Sequence, residues 1–244
     1  EKIATSVFLG DKSKTTLTKL YETPVSLGYF YAAVTEHIGF FSGQEGKTMG
    51  LASYGNPKYI DQLRDLINAD DQGKINCLFN VTKKSKDEEE ETIAIWKGLL
   101  SKIIPARKGK IEKVTDEIIP YADLASSAQK LLEEILIKIV LYNCNQYNVS
   151  NIAIAGGVGL NCAASGILSE LPCVNKIFTQ PAANDGGISL GAAIAVAVAN
   201  QENVNFEMIP YQGNEFNDEE ILNFLNQKNY FYRKSDNLLK EIAN

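Results

Sequence analysis

Two glycine-rich turns, each opening an apolar segment, hold most of the residues in this sequence that could do chemistry. In the first, IAIAGGVGLN, an apolar strand ends at Gly156 and Gly157, and a helix is expected directly after. Glycine lets a backbone adopt positive φ and admits close approach of a ligand. A helix start offers unpaired N–H groups and positive potential. With Val158 in the turn, and Asn161 able to hydrogen-bond a ribose or a base, the pattern suits a nucleotide or another anion. A tight strand-to-helix turn packed on a neighbour gives the same pattern without any ligand. The second turn, TQPAANDGGISLGAA, sets Asp185 at the end of another strand, beside Gly186 and Gly187. Ligands of open α/β sheets gather at the carboxyl ends of strands. A carboxylate there can hold a divalent metal against phosphate oxygens; capping the next helix is its plainer job. A third segment, SGQEGKTMGLASYG, places Glu45 and Lys47 between glycines. They read either as an ordinary exposed pair or as groups that reach the same nucleotide.

Other chemistries meet obstacles in the sequence. A Rossmann site wants a third glycine where this chain has Cys162, and an acidic ribose ligand where KIFTQP ends in Gln180 and Pro181. The Walker pattern is absent too: GKT occurs at 46–48, but Phe41 stands where GxxxxGK[ST] needs its first glycine. His37 is the single histidine, so this chain alone cannot complete a histidine pair or a multi-histidine metal site. It falls within a helical pattern and reads as structural.

Those turns need strands and helices to hold them. KIATSVFLGDKSKTTLTKLYE reads as a β-hairpin turning at GDKSK. SLGYFYAAVTEHIGFF reads as a helix capped by Ser26, with Leu27, Phe30, Tyr31, Val34 and Ile38 on its apolar face. A short helix is expected over the Glu45–Lys47 segment, another from NPKYIDQLRDLI with Pro57 in its first turn, and a strand at KINCLFNV. The acidic run in TKKSKDEEEETIAIWKGLL reads as the solvated start of a helix, favoured by the helix dipole, rather than a binding tail. A polar connection follows, then a long helix, ADLASSAQKLLEEILIKIVLYNCNQYNV, whose apolar C-terminal half predicts burial. Strand, helix, strand, helix over 151–200 predicts parallel strands with right-handed crossovers. Beyond 202 only NDEEILNFLNQ has a strong pattern, as a helix.

Composition sets the class. The 244 residues suffice for one large domain or two small lobes. Hydrophobic residues at 45% and charged residues at 22% are ordinary for a globular protein. A net charge of -6 argues against non-specific binding to nucleic acid or anionic membrane. No apolar run is long enough to span a membrane, and no signal peptide precedes the hairpin. Cys77, Cys144, Cys162 and Cys173 show no zinc or CxxC spacing, which points to a reduced, cytoplasmic compartment.

Taken in order, GQEGKTMGLASYG, DLASSAQKLLEE, AGGVGLNC and QPAANDGGISLGAA resemble the carbamoyltransferase family of nodulation-factor and cephalosporin O-carbamoyltransferases, from about Pro24 to Ala195. The resemblance implies an α/β fold: a ribonuclease-H-like lobe of an actin-like ATPase domain, a mixed sheet flanked by helices. It implies ATP or carbamoyl-adenylate as the bound nucleotide, and a divalent metal, iron in some members. Carbamoyl phosphate and a small hydroxylated acceptor would be the substrates. Under it, Gly156, Gly157, Val158 and Asn161 match the adenosine-binding motif, Glu45 and Lys47 the segment lining the nucleotide, and Asp185 the metal-binding aspartate. The family's HxxxH pair and its smaller YrdC-like domain have no counterpart in this sequence. Residues 1–201 are therefore expected to be the second lobe, with a helical insertion at about 81–120. Residues 202–244 are expected to lead toward a missing YrdC-like domain, and Glu1 to close a DGxGE turn of a missing first lobe. Such a piece is expected to be inactive by itself. A non-catalytic nucleotide-binding regulatory module, or a lobe of an actin-like sugar or acyl kinase, would share these motifs.

Overall fold

The computed structural model describes residues 3–11, 16–79, 88–109, 111, 115, 117–202, 204 and 213–243. The hairpin turn at 12–15, the head of the acidic run and part of the polar connection lie outside the described residues. Two compact units are present, Glu1–Val204 and Asn205–Asn244.

Unit one is mixed α/β. Strands β1 (Thr5–Asp11) and β2 (Thr16–Thr23) form the antiparallel hairpin. Helices α1 (Leu27–His37), α2 (Glu45–Ala52) and α3 (Ile60–Leu66) follow, then a small antiparallel pair, β3 (Ile67–Ala69) and β4 (Ile75–Cys77). Helix α4 (Glu88–Leu100) and the long α5 (Ile119–Tyr147) lead to β5 (Asn151–Ile154), α6 (Cys162–Ser169), β6 (Lys176–Thr179) and α7 (Ile188–Ala199). β5 and β6 pair in parallel, as the alternation of strand and helix predicts.

The single mixed sheet is not realised among the described residues, where three separate two-stranded ladders replace it. The hairpin's register shifts between Val7 and Phe8, a bulge of the kind that twists a strand edge away from further partners. β5 and β6, at four residues each, offer only a short edge.

The core lies where α1, α3, α4 and α5 meet. Trp96 of α4 is its hub, edge-on to Phe30 at 5.2 Å and to Phe79 at 4.8 Å between ring centroids. Ser26 caps α1 by accepting from the Tyr29 N–H, and all five expected apolar positions of that helix are buried. Two expectations fail. In α5 the N-terminal half is the buried one, from Ala122 to Ile135, while Leu136, Ile137 and Val140 are only half-covered. That half packs against α1, α2 and α3; the later turns have β3 beside them but no facing helix of comparable length. Pro57 does not start a helix; α3 begins at Ile60. The preceding loop is instead strapped to α5, because Asp123 accepts from the Asn56 N–H at 2.7 Å and Ser127 from the Tyr59 N–H at 2.9 Å.

His37 is structural. Its Nε2–H donates to the Ile104 carbonyl at 2.8 Å, and its own carbonyl accepts from the Arg107 N–H. Nδ1 is then a bare acceptor, buried and without a partner among the described residues. Burial lowers the imidazole's pKa below the usual 6.5, the Ile104 bond opposes this, and nearby Lys97 adds to the lowering. As pH falls through 6.5 the unfolded chain gains a proton that folded His37 refuses. Folding free energy should therefore drop between about pH 7 and 5, by up to about 1.4 kcal/mol per pH unit for this one proton. His37→Gln, which keeps a donor for Ile104, should flatten that part of the curve in denaturant titrations run at several pH values. An equally steep curve in the variant would place the acid sensitivity elsewhere.

Unit two carries α8 (Asp218–Gln227) and α9 (Leu238–Ala243). Asn217 and Glu220 form a reciprocal capping box at the start of α8, and neither helix buries a residue.

Candidate functional site

The first glycine turn sits at the carboxyl end of β5. Gly156 has φ +93°, a conformation open to glycine and strained for other residues. The expected helix does not start at once. Residues Gly157–Leu160 make one 3-10 turn, the chain straightens at Asn161, and α6 begins at Cys162. A Cβ at Gly156 or Gly157 would meet open space, so the backbone there is free for a ligand to approach. Gly159 faces inward instead, where a Cβ would press on Ala183, Thr179 and Ile154 at 3.2–3.3 Å.

The second turn sits at the carboxyl end of β6, and the two are bonded together: the Gly156 N–H donates to the Ala183 carbonyl at 2.8 Å. Asp185 does not cap α7, which starts after Gly187 without a side-chain cap; Asn184 Oδ1 caps the 3-10 turn Asp185–Gly187 by accepting from the Gly186 N–H at 3.1 Å. Gly187 precedes α7, and a Cβ there would overlap the Ala182 carbonyl oxygen. The Asp185 carboxylate is exposed and makes no hydrogen bond or ion pair among the described residues. Thr179 Oγ1 and Gln180 Oε1, at the same strand end, are buried without partners among the described residues.

Behind the first turn lies a polar cluster that the motifs did not reveal. Gln129 of α5 receives the Tyr31 hydroxyl on Oε1 at 2.8 Å and donates from Nε2 to Glu133 at 2.8 Å. It pairs with Asn161 both ways: Nε2 to Asn161 Oδ1 at 3.1 Å, and Asn161 Nδ2 to Oε1 at 2.8 Å. Asn161 Oδ1 also caps α6 by accepting from the Ala164 N–H at 3.0 Å. Burial first, then the charges of Glu133 and Glu45, push the Tyr31 phenol above the ordinary tyrosine range, and the neighbouring Asn161 amide acts the other way. The signal for this cluster was present in the sequence: Asp123, Ser127, Gln129 and Glu133 interrupt a buried helical face with polar groups at i,i+4 spacing.

Thus Val158, which packs beside Gly28, and Asn161 join one region with Gly156, Gly157 and the Asp185 turn. Glu45 reaches it through its field on Tyr31, while its Oε1 accepts from the Gly43 N–H at 3.3 Å. Met49 of the same helix lies 3.9 Å from Cys162, sulfur to sulfur. Lys47 stays apart, exposed, with its ammonium 5.9 Å from the Phe40 ring centroid.

The backbone at Gly156 and Gly157 is open to the approach of a ligand. A metal is a different case: no group of three His, Cys, Asp or Glu is brought together among the described residues. Asp185 supplies one ligand where hard cations take several, so these residues do not by themselves fit a metal. No described helix is long and apolar enough to cross a membrane.

The chain is similar along its whole length to the uncharacterized protein sll1178 of Synechocystis, at 30% identity over 257 residues, and spans 40% of that protein. It is 32% identical over 172 residues to nodulation protein NolO of Bradyrhizobium diazoefficiens, covering 70% of this chain and 28% of NolO. The uncharacterized protein MJ1058 of Methanocaldococcus jannaschii is 32% identical over 202 residues, covering 80% of this chain and 30% of that protein. Residues 1–194 match the family described as carbamoyltransferase N-terminus. The two bonded glycine turns and their supporting helices lie inside that match, and the chain belongs to the carbamoyltransferase family.

Proposed function

We propose that this chain is the nucleotide-holding part of an ATP-dependent O-carbamoyltransferase. On this reading residues 1–201 are the second lobe of an actin-like domain, with α4 in a helical insertion near 81–120. Residues 202–244 connect toward a YrdC-like domain outside the chain, and the protein works in the cytoplasm. The observation that carries the reading is the bond from Gly156 to Ala183, which sets two glycine turns side by side at the ends of parallel strands. The bound carbamoyl-adenylate, made from carbamoyl phosphate and ATP, supplies the activated carbamoyl group for a substrate hydroxyl. This chain's share is to hold it. The open backbone of Gly156 and Gly157 takes up the nucleotide, with Val158 and Asn161 flanking the adenosine and Glu45 on the approach; Lys47, which stands apart, has no part in it. Asp185 would supply one ligand of a divalent metal, iron in this reading, with the others coming from residues outside the chain.

Gly157→Val tests the placement. The side chain fills the space a ligand needs while the fold has room for it. Calorimetric titration with ATP should show affinity reduced by roughly tenfold or more, the equivalent of about 1.4 kcal/mol, with the melting temperature nearly unchanged. Unchanged affinity would move the nucleotide away from this turn.

A further inference from the structure

We propose that Gln129 is a positioning residue that turns the Asn161 amide so that Asn161 can meet the nucleotide only as a hydrogen-bond donor. The proposal rests on the nucleotide reading above and adds the polarity of one contact.

The argument is an inventory of lone pairs and protons. An asparagine side chain has two acceptor sites on Oδ1 and two N–H groups on Nδ2. Both acceptor sites of Asn161 are occupied, by the Ala164 N–H and by Gln129 Nε2. One N–H is given to Gln129 Oε1. What remains for a ligand is at most one N–H, which the Tyr31 oxygen also draws on and which matches an acceptor such as a ring nitrogen or a ribose oxygen lone pair and rejects a donor.

The orientation is enforced from both ends. Gln129 is 7% exposed and its Nε2 faces two oxygens, those of Glu133 and Asn161, while its Oε1 faces two donors, Tyr31 and Asn161. Rotating its amide by 180° would set oxygen against carboxylate and N–H against N–H. At the far end the Ala164 N–H demands the oxygen of Asn161, not its nitrogen. A carboxylate on α5 and a backbone amide on α6 therefore fix the two amides between them. Such a fully satisfied chain of polar groups is stiff, and breaking one member leaves the others unpaired.

Gln129→Glu reverses one face of this arrangement without changing its size. At pH 8 a carboxylate at 129 opposes both the Glu133 carboxylate and Asn161 Oδ1, with Tyr31 and Glu45 the other ionisable groups acting on the cluster. As pH falls the carboxylate introduced at 129 takes up a proton, and its O–H can again donate to Asn161 Oδ1. Adenosine, which carries no charge, is the probe, titrated by calorimetry into the full-length protein that carries this chain. Adenosine affinity of the variant should fall about tenfold at pH 8 and return toward the unsubstituted value at pH 5.5, whereas the unsubstituted protein should bind equally at both. Asn161→Asp, which keeps the acceptor that caps α6 but has no N–H, should lose about tenfold at both pH values. Gln129→Glu with one affinity at both pH values, or Asn161→Asp binding as tightly as the unsubstituted protein, overturns the proposal while leaving the nucleotide site standing. An unsubstituted protein that binds no adenosine overturns the nucleotide reading and this proposal with it.

Discussion

Replacing Gly55 by alanine is expected to lower folding stability by about 3 kcal/mol, the upper part of the range for overpacked sites. A Cβ at that position would overlap the carbonyl carbon and oxygen of Ala122 and lie 2.5 Å from the Asp123 nitrogen. These are backbone atoms of a buried helix, so neither rotamer change nor side-chain motion relieves the clash. The loop from Ser53 to Tyr59 would have to lift from α5, breaking the bonds from Asn56 to Asp123 and from Tyr59 to Ser127, and parting Lys58 from Asp123, now 2.6 Å apart. In a domain of this size the melting temperature should drop by roughly 6–12 °C. Gly98→Ala is the matched control: it lies within α4 with nothing near its added Cβ, and alanine there should be neutral or slightly stabilising. Equal melting temperatures for Gly55→Ala and the unsubstituted protein would show that the loop does not rest on α5 as described.

Asp185→Asn should do the reverse, leaving the fold intact while removing function. Asn184 does the capping, and the Asp185 carboxylate is exposed and idle among the described residues, so melting should shift by less than about 0.5 kcal/mol equivalent. Carbamoyl transfer by the full-length protein should nevertheless fall by about 100-fold or more, the scale for losing a charge that faces the reacting group. On the proposed reading, this exposed carboxylate, two residues from the carbonyl that binds Gly156, serves a ligand. Full activity in a normally folded Asp185→Asn protein would take Asp185 out of the site.

What could be read from the sequence follows the range of the interactions involved. Ser26 capping α1 and the apolar face from Leu27 to Ile38 are decided within a few turns of chain, the parallel pairing of β5 with β6 follows from the strand–helix–strand order, and all were legible. The buried half of α5 was not, because hydrophobicity says that a helix is covered somewhere and only the neighbours decide where. Ala122, Ala125 and Ala128 are small and weakly apolar, yet they admit α2 closely and are fully buried. Pro57 misled for a similar reason: its start signal is local, and the distant Asp123 and Ser127 override it. The candidate glycines and Asp185 were picked out by residue type, and the structure brings their two turns together. Gln129 left only a polar break in the buried face of α5, since its contacts with Tyr31 and Asn161 appear only when α1, α5 and the turn before α6 converge.

The bond from Gly156 to Ala183 also couples the two turns energetically. Each turn by itself is a short loop free to fluctuate on the exposed end of a strand. Joined, they have a shared ordering transition, so a group that immobilises one has already reduced the freedom of the other. A ligand with one end in each turn then loses that conformational entropy once rather than twice, and occupancy of either end raises affinity at the other with no further change of shape. By reciprocity the effect is equal in both directions. For a ligand that spans both turns, as proposed, this one main-chain hydrogen bond links the two half-sites.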